Sequence, residues 1–266
     1  MDNLVNPWER LEDLGAGGLR IIQNPDYFCF GIDAVLLAWF ASGAVKRKSK
    51  VIDLGTGTGI IPLLLMAKTG VERIDALEIQ SNMVEMARRS VAINHLEKRV
   101  FIHEMDLRTP DPETISSNYD VITSNPPYMK VAHGFKHAVE TQAIARQEIL
   151  CNIFDIAVFA KRHLKDRGKI FLVHKADRLT DIICAFRENG IEVKRLQLIH
   201  PFAVKKANLV LVEGMKRGQP GVSIEKPLVV YNEDGSYTDD INRIYGTDRP
   251  RDQHIVQDRQ LQVEKE

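Results

Sequence analysis

Hydrophobic and polar positions along the middle of this chain fall into two alternating kinds of segment. Short runs rich in β-branched residues predict buried strands, which lie at 50–54, 73–79, 99–104, 119–123 and 168–174. Apolar residues at helical spacing predict helices between them, at 60–68, 81–95 and about 141–164. Strands that alternate with helices in this way indicate β-α-β units, and so an α/β fold with a mostly parallel sheet and helices on both faces.

Both ends of the chain depart from this alternation. Leu19–Ile22 and Phe28–Phe30 predict a small hairpin, which a helix beginning at Asp33 follows. Near the other end a short strand is expected at 228–231, and the polar residues beyond Thr247 are expected to fray or to order only on binding. We therefore predict an N-terminal elaboration over 1–49, a main domain over 50–215 and a C-terminal extension over 216–266.

Charge and composition narrow the function classes. Lys and Arg number 36, as do Asp and Glu, so the net charge of zero excludes nucleic-acid binding by global charge but allows a local basic face. The three cysteines Cys29, Cys151 and Cys184 lie far apart, which favours a reducing compartment and no bound metal. No signal-peptide pattern or apolar run of ~18 residues is present, so we expect a cytoplasmic protein without a membrane segment.

A glycine-rich loop, Asp53-Leu-Gly55-Thr-Gly57-Thr-Gly59, joins the first of these strands to its helix. Glycines allow positive φ and let the backbone approach a ligand closely. The spacing is GxGxG rather than the GxGxxG of nicotinamide dinucleotide sites. Because a carboxylate is a poor neighbour for a pyrophosphate, Asp53 suits a ligand that carries a cationic amino group.

Two further acidic residues follow the next two strands. Glu78 ends the second strand, where a carboxylate accepts hydrogen bonds from both ribose hydroxyls. Asp106 follows the third strand, where it can accept a hydrogen bond from an adenine amino group. Together these residues predict a nucleoside-binding edge. The alternative is that the glycine loop is only a tight turn and both acids are solvated loop residues.

The segment Val51-Ile-Asp-Leu-Gly-Thr-Gly-Thr-Gly-Ile60 resembles the first motif of class I S-adenosylmethionine-dependent methyltransferases. The resemblance covers about residues 30–215 and implies a Rossmann-like sheet of seven strands, mostly parallel, with the last strand reversed. It also implies S-adenosylmethionine as the cofactor, with binding roles for Asp53, Gly55, Gly57, Gly59, Glu78 and Asp106.

The segment Ser124-Asn-Pro-Pro-Tyr128 follows the fourth strand, beside the expected cofactor edge. Its prolines fix the backbone φ and leave carbonyl oxygens free to accept hydrogen bonds. The side-chain oxygen of Asn125 and the carbonyl oxygen of Pro126 can each accept an N–H bond of a planar amino group and orient its nitrogen toward a methyl donor. Tyr128 can stack on the substrate. The alternative is a rigid proline turn with an Asn cap.

The Asn-Pro-Pro-Tyr motif is similar to that of adenine-N6 methyltransferases and also to that of glutamine methyltransferases acting on release factors. The glutamine enzymes usually carry a helical N-terminal domain, which the residues before Gly55 do not supply. Phe28–Leu37, together with Glu225–Thr238, resembles the tRNA adenine-N6 methyltransferases that modify position 37 of valine tRNA. That resemblance implies that Phe30, Gly31 and Asp33 lie on the cofactor side. A helix N-cap is the alternative role for Asp33, and the two roles can coexist.

We therefore predict a methyltransferase that acts on the N6 amino group of an adenine in tRNA, at position 37 of valine tRNA. Asn125 would also contact the cofactor. Protein glutamine-N5 methylation and a catalytically silent RNA-binding protein stay open as alternatives. Basic groups that are candidates for tRNA contact are Lys46-Arg-Lys48 with Lys50, Lys130 to His137, Lys194-Arg195, Lys205-Lys206 and Lys216-Arg217. By position, the loop after Tyr128 is the best of these candidates.

Overall fold

The computed structural model of the protein describes residues 4–26, 31–127 and 152–246. The strands are β1 Arg10–Asp13, β2 Arg20–Gln23, β3 Val51–Leu54, β4 Ile74–Glu78, β5 Val100–Glu104, β6 Tyr119–Ser124, β7 Leu164–Lys175, β8 Ile191–Phe202, β9 Leu209–Lys216, β10 Ser223–Ile224 and β11 Leu228–Tyr231. The α-helices are α1 Ile32–Ser42, α2 Ile60–Thr69, α3 Ser81–Ile93, α4 Ile153–His163, α5 Leu179–Glu188 and α6 Asp239–Tyr245.

The main sheet confirms the predicted seven-stranded arrangement. Its strand order is β5-β4-β3-β6-β7-β9-β8, and all neighbours are parallel except β9, which runs antiparallel to β7 and to β8. Two short strands, β10 and β11, extend the sheet by pairing in parallel with β8. The reversed strand β9 returns the chain without a crossover helix, as an antiparallel neighbour allows.

Alternate residues along each central strand enter two separate hydrophobic clusters, because successive side chains of a strand point to opposite faces. Val51, Val121 and Phe171 pack on one face, against residues of α1, α2, α3 and α6. Ile52 and Ile122 pack on the other face, against residues of α4 and α5. Helices on both faces are thereby confirmed. No helix within the described ranges is long and apolar enough to cross a membrane.

The N-terminal hairpin differs from the predicted one. The expected strand at Leu19–Ile22 exists as β2, but its antiparallel partner is β1. The other predicted partner, Phe28–Phe30, lies outside the described residues. The pattern missed β1, Arg-Leu-Glu-Asp, because only one of its four residues is apolar and its side chains are largely exposed.

Buried polar contacts fix this hairpin against α3. The guanidinium of Arg89 donates to both carboxylate oxygens of Glu9 at 2.6 and 2.7 Å, and the Glu9 side chain is only 3% exposed. The Ser90 hydroxyl accepts the backbone N–H of Ile22 at 3.0 Å. The side chain of Asn94 bonds the N–H and C=O of Arg20. The hairpin therefore lies beside the helix that follows β4.

The chain after β9 folds back onto the main core. The strand predicted at 228–231 is confirmed as β11, and Leu228 and Val230 are buried in the same cluster as α1. Ile241 and Ile244 of α6 join that cluster. Lys68 at the end of α2 donates to the carbonyl of Ile244 at 2.7 Å. The division into three parts at 49/50 and 215/216 stays a prediction.

Candidate active site at the carboxyl edge of the sheet

The predicted site residues follow strands that end at one edge of the sheet. Because β3, β4, β5 and β6 are parallel neighbours, their carboxyl ends meet there. Ligands of open α/β sheets bind outside this edge. The structure thus brings together the glycine loop after β3, Glu78 at the end of β4, Asp106 after β5 and Asn125 after β6.

The glycine loop adopts the conformation that the sequence predicts. Gly55, Gly57 and Gly59 have φ values of +68°, +56° and +88°, which L side chains rarely adopt. The N–H groups of Gly55 and Thr56 both donate to the carbonyl of Leu77 at 2.9 Å, which ties the loop to the end of β4. Gly59 is the N-cap of α2, so the loop leads directly into a helix N-terminus.

Glu78 binds the backbone of the glycine loop and is not a solvated residue. Its carboxylate is buried, and Oε2 accepts the N–H of Gly57 at 2.9 Å. The other oxygen, Oε1, accepts the N–H groups of Ile79 and Gln80 at 2.9 and 3.0 Å. The alternative reading of Glu78 as a solvated residue is therefore wrong.

Asp53 is the most perturbed carboxyl group of the site. It is fully buried, and burial raises its pKa to about 7, against the lowering effects of the Thr123 hydroxyl, which donates to Oδ1 at 2.6 Å, and of the nearby Thr56 hydroxyl. Within the part of the chain that the structure describes, Asp53 Oδ2 and Thr56 Oγ1 are buried without a hydrogen-bond partner. A buried carboxylate oxygen with no donor fits a ligand that brings a cation to it.

Asp106 has a different environment. Arg108 donates to it from its backbone N–H and from its guanidinium, at 2.6 to 3.0 Å. These hydrogen bonds hold the pKa of the Asp106 carboxyl below its usual range. Its side chain is partly exposed, at 23%. Asp106 thus lies at the edge that the sequence predicts, but an arginine two residues further along the chain already binds it.

Two hydroxyl groups fix the end of β6 against the glycine loop. Asp53 pairs in register with Thr123, and Leu54 with Ser124. The Thr123 hydroxyl donates to Asp53, and the buried Ser124 hydroxyl donates to the Leu54 carbonyl at 2.9 Å. Asn125 therefore follows β6 at the level where Gly55 follows β3. Asn125 is half-buried and Pro126 buried, whereas Pro127 is exposed.

Gly31 and Asp33, which the resemblance assigns to the cofactor side, lie at the start of α1. Gly31 is its N-cap, so the alternative role of Asp33 as the N-cap is wrong. Asp33 is buried in the first turn, and its Oδ1 accepts the N–H of Ala34 at 2.9 Å. Phe30 and Tyr128, the two aromatic residues predicted for the site, lie outside the described residues.

Sequence reasoning missed the hydroxyl residues around the loop. Besides Thr123 and Ser124, the Thr58 hydroxyl accepts a 2.9 Å hydrogen bond from the buried side chain of Gln23, which connects β2 to the glycine loop. A signal for Thr123 and Ser124 existed, since both are polar residues that follow the apolar pair Val121-Ile122 at the end of β6. Gln23 carried no such signal, because its contact with residue 58 depends on the docking of the hairpin.

Comparison with known proteins agrees with this geometry. The family model of the methyltransferase small domain matches residues 20–183, which include the glycine loop, Glu78, Asp106 and Asn125. The chain belongs to this methyltransferase family. Its cofactor is S-adenosylmethionine. The residues of the site fit that group, because Asp53 Oδ2 is a buried acceptor without a donor and the glycine loop leads into a helix N-terminus.

Individual relatives of this methyltransferase are moderately similar to it. A protein of Aeromonas hydrophila named tRNA1(Val) (adenine(37)-N6)-methyltransferase is 29% identical over 213 residues, which cover 79% of this chain and 85% of that protein. A protein of the same name from Phocaeicola vulgatus is 32% identical over 170 residues, with coverages of 64% and 69%. Among solved structures, a predicted O-methyltransferase from Agrobacterium tumefaciens matches with a TM-score of 0.63 at 20% identity, over 84% of this chain and all of that one. This last match shows the fold alone.

Proposed function

We propose that this methyltransferase transfers the methyl group of S-adenosylmethionine to the N6 amino group of an adenine in tRNA, at position 37 of a valine tRNA. The main support is that Asn125 and Pro126 follow β6 directly beside the glycine loop, within a sequence that carries the Asn-Pro-Pro-Tyr motif. The names of the relatives from Aeromonas and Phocaeicola support tRNA as the substrate.

In this proposal the polar groups of the edge hold the cofactor. Asp53 receives its amino group, and the backbone of Gly55, Gly57 and Gly59 lies against it. Glu78 keeps its bond to Gly57, and the ribose hydroxyls displace other donors from it, since the Gly57, Ile79 and Gln80 N–H groups and the Gln80 side chain already meet its four or so lone-pair sites. Asp106 accepts the adenine amino group once the Arg108 guanidinium releases it. Gly31 and Asp33, and by resemblance Phe30, complete the cofactor side.

The cofactor supplies an electrophilic methyl group bound to a sulfonium sulfur. The side-chain oxygen of Asn125 and the carbonyl oxygen of Pro126 accept the two N–H bonds of the substrate amino group. Both bonds strengthen as the nitrogen becomes pyramidal and positively charged, so they favour the transition state over the planar ground state. By resemblance, Tyr128 stacks on the base. The methylated nitrogen is acidic and loses its proton to water, so no strong base is required.

The test is transfer of labelled methyl from S-adenosylmethionine to unmodified bulk tRNA, with purified release factor as a parallel acceptor and digestion of the tRNA to nucleosides. We expect the label in N6-methyladenosine. Label in release factor alone would establish glutamine methylation instead. Label in neither acceptor, with cofactor still bound, would favour the silent RNA-binding protein.

The Asn125→Ala variant tests the mechanism. We expect turnover to fall at least about 100-fold, because one of two aligned acceptors is lost, while the affinity for S-adenosylmethionine changes little. Asn208→Ala is the matched control, since Asn208 is an exposed asparagine at the same edge of the sheet. Full turnover in Asn125→Ala would contradict the mechanism.

A further inference from the structure

The carboxyl edge of the sheet is not level. Ser124 of β6 pairs with Leu172 of β7, so Asn125 lies level with Val173. Val173 pairs with Leu211 of β9. Leu211 in turn pairs with Gln197 of β8, which sets the same level on that strand. Strand β8 continues to Phe202, five residues beyond that level, or about 16 Å at the rise of an extended strand. Residues 198–210 and β11 therefore form a raised side to the site, which we name the C-terminal wall.

The wall lies at a definite distance from Asn125. Strand β8 is three neighbours away from β6 in the sheet, which is about 14 Å at the usual spacing between strands. This distance of about 14 Å across the strands, combined with the extension of about 16 Å along β8, puts the tip of the wall about 20 Å from Asn125. A small substrate bound at Asn125 does not reach that far, whereas a folded RNA does.

The tip of the wall is a well-anchored turn. The N–H of Lys205 donates to the Phe202 carbonyl at 3.0 Å, and the His200 ring donates from Nδ1 to the Lys205 carbonyl at 2.8 Å. The N–H of Asn208 donates to the Ile199 carbonyl at 3.0 Å. Behind the turn, the Phe202 ring packs against Tyr231 of β11 with centroids 5.6 Å apart. The side chains of the turn are thus presented from a fixed backbone.

Lys205 and Lys206 extend from this turn into solvent, and neither forms an ion pair with any residue that the structure describes. The other basic pairs of the C-terminal strands have protein partners. Arg195 bonds Glu213 and the Phe40 carbonyl, and Lys194 bonds two backbone carbonyls. Lys216 and Arg217 likewise bond protein groups, at the amino edge of the sheet.

Charges on the outer side of the wall have the opposite sign. Glu233 and Asp234 are exposed in the turn that follows β11, and β11 lies beyond β8, away from the active site. A phosphate backbone that approaches the lysines is therefore repelled on the outer side and directed inward, toward Asn125. The local charge pattern fits a polyanion that lies between the wall and the site.

We propose that Lys205 and Lys206 bind backbone phosphates of the tRNA substrate, several nucleotides away from the adenine that Asn125 holds. This inference rests on the proposed function and assigns one contact surface for its substrate. Among the candidate basic groups that the structure describes, Lys205 and Lys206 are thereby assigned as the tRNA contact at the edge of the active site. The loop after Tyr128, with Lys130 to His137, lies outside the described residues.

The test compares three forms of the full chain: the wild type, the double variant Lys205→Ala with Lys206→Ala, and a control with Lys46→Ala and Lys48→Ala. The control removes two exposed lysines from a turn at the opposite edge of the sheet. For each form we would measure the KM for unmodified bulk tRNA, kcat, the Kd for S-adenosylmethionine, and the salt dependence of tRNA binding.

We expect the wall variant to raise the KM for tRNA about ten-fold, and to lower the slope of log affinity against log salt by about 1.4 to 1.8, since each of the two lost phosphate contacts contributes about 0.7 to 0.9. Its kcat and cofactor Kd should stay within about two-fold of wild type. Lys205→Arg with Lys206→Arg should retain the wild-type KM.

Two results would overturn the inference while leaving the proposed function intact: wild-type methylation of tRNA with an unchanged KM in the wall variant, or an equal rise of KM in the control. If the wild type methylates release factor and not tRNA, the proposed function itself fails and the role of the wall fails with it.

Discussion

The end of β6 and the tip of the C-terminal wall belong to the same edge of one sheet, but they use polar groups in opposite ways. At β6 the polar groups are buried and bonded within the fold, since Thr123 donates to Asp53 and Ser124 donates to the Leu54 carbonyl. At the wall the backbone is fixed internally, while Lys205 and Lys206 lie in solvent. An interaction of a buried group has a large energy, because little solvent screens it. Each exposed charge contributes a small energy, and several such charges add up.

The largest effect on cofactor affinity is expected from Asp53→Asn. This variant removes the buried charge that we assign to the amino group of the cofactor. We expect the Kd for S-adenosylmethionine to rise about 10- to 100-fold, the range for a lost hydrogen bond to a charged group. Titration calorimetry measures the affinity. An unchanged Kd would show that Asp53 is structural only.

The same variant changes the pH dependence. Burial raises the Asp53 pKa from 3.8 to about 7, so the folded protein retains a proton that the unfolded chain loses. The resulting stability is present at low pH and is lost as the pH rises from about 4 to 7. In wild type, cofactor affinity should rise as Asp53 ionises through pH about 7. Asp53→Asn should lose both dependences, as thermal melts and binding across this range would reveal.

The next largest effect is expected from Thr123→Val, which keeps the shape of the side chain and removes the donor to Asp53 Oδ1. Without that donor the Asp53 pKa rises further, so the pH at which cofactor binding is half-maximal should shift upward. Ser124→Ala is the control, because its hydroxyl bonds a backbone carbonyl and not the carboxylate. Equal midpoints in both variants would contradict the assigned role of Thr123.

A smaller effect is expected from Gly59→Ala. Residue 59 has a φ of +88°, so an alanine there adds about 1–2 kcal/mol of backbone strain. We expect the free energy of unfolding to fall by this amount and cofactor affinity to fall with it. Gly43→Ala, at a φ of −62° and with open space around the added Cβ, should leave cofactor affinity unchanged and raise the free energy of unfolding by about 0.4–1 kcal/mol, because alanine restricts the unfolded chain. Urea unfolding of the two variants provides the comparison.

The smallest effect is expected from Arg217→Ala. Its ion pair with Asp166 is largely exposed, at 72% and 58% for the two side chains, and such pairs contribute at most about 1 kcal/mol. Because Arg217 lies at the amino edge of the sheet, tRNA affinity should not change. A loss of affinity as large as that of the wall variant would break the distinction between the two edges.

Much of the fold and part of the site followed from local pattern. The central strands were predicted because turn residues bound their apolar runs. The glycine loop was predicted because glycine readily adopts positive φ, and the three glycines at alternate positions do have positive φ. Strand β1 was not predicted, because it is short and exposed on a two-stranded hairpin. An N-cap was an alternative role for Asp33, because carboxylates are common caps, whereas the structure has the N-cap at Gly31.

The sequence by itself determined the alternation of strands and helices, the positions of the acids and the motif after β6, because each depends on residues close together in the chain. Only the tertiary structure decided which of these groups act together. Burial of Asp53, its contact with Thr123 seventy residues away and the partners of each lysine all depend on strand order and register. The height of the C-terminal wall depends on three successive registers from β6 to β8, which no local pattern encodes.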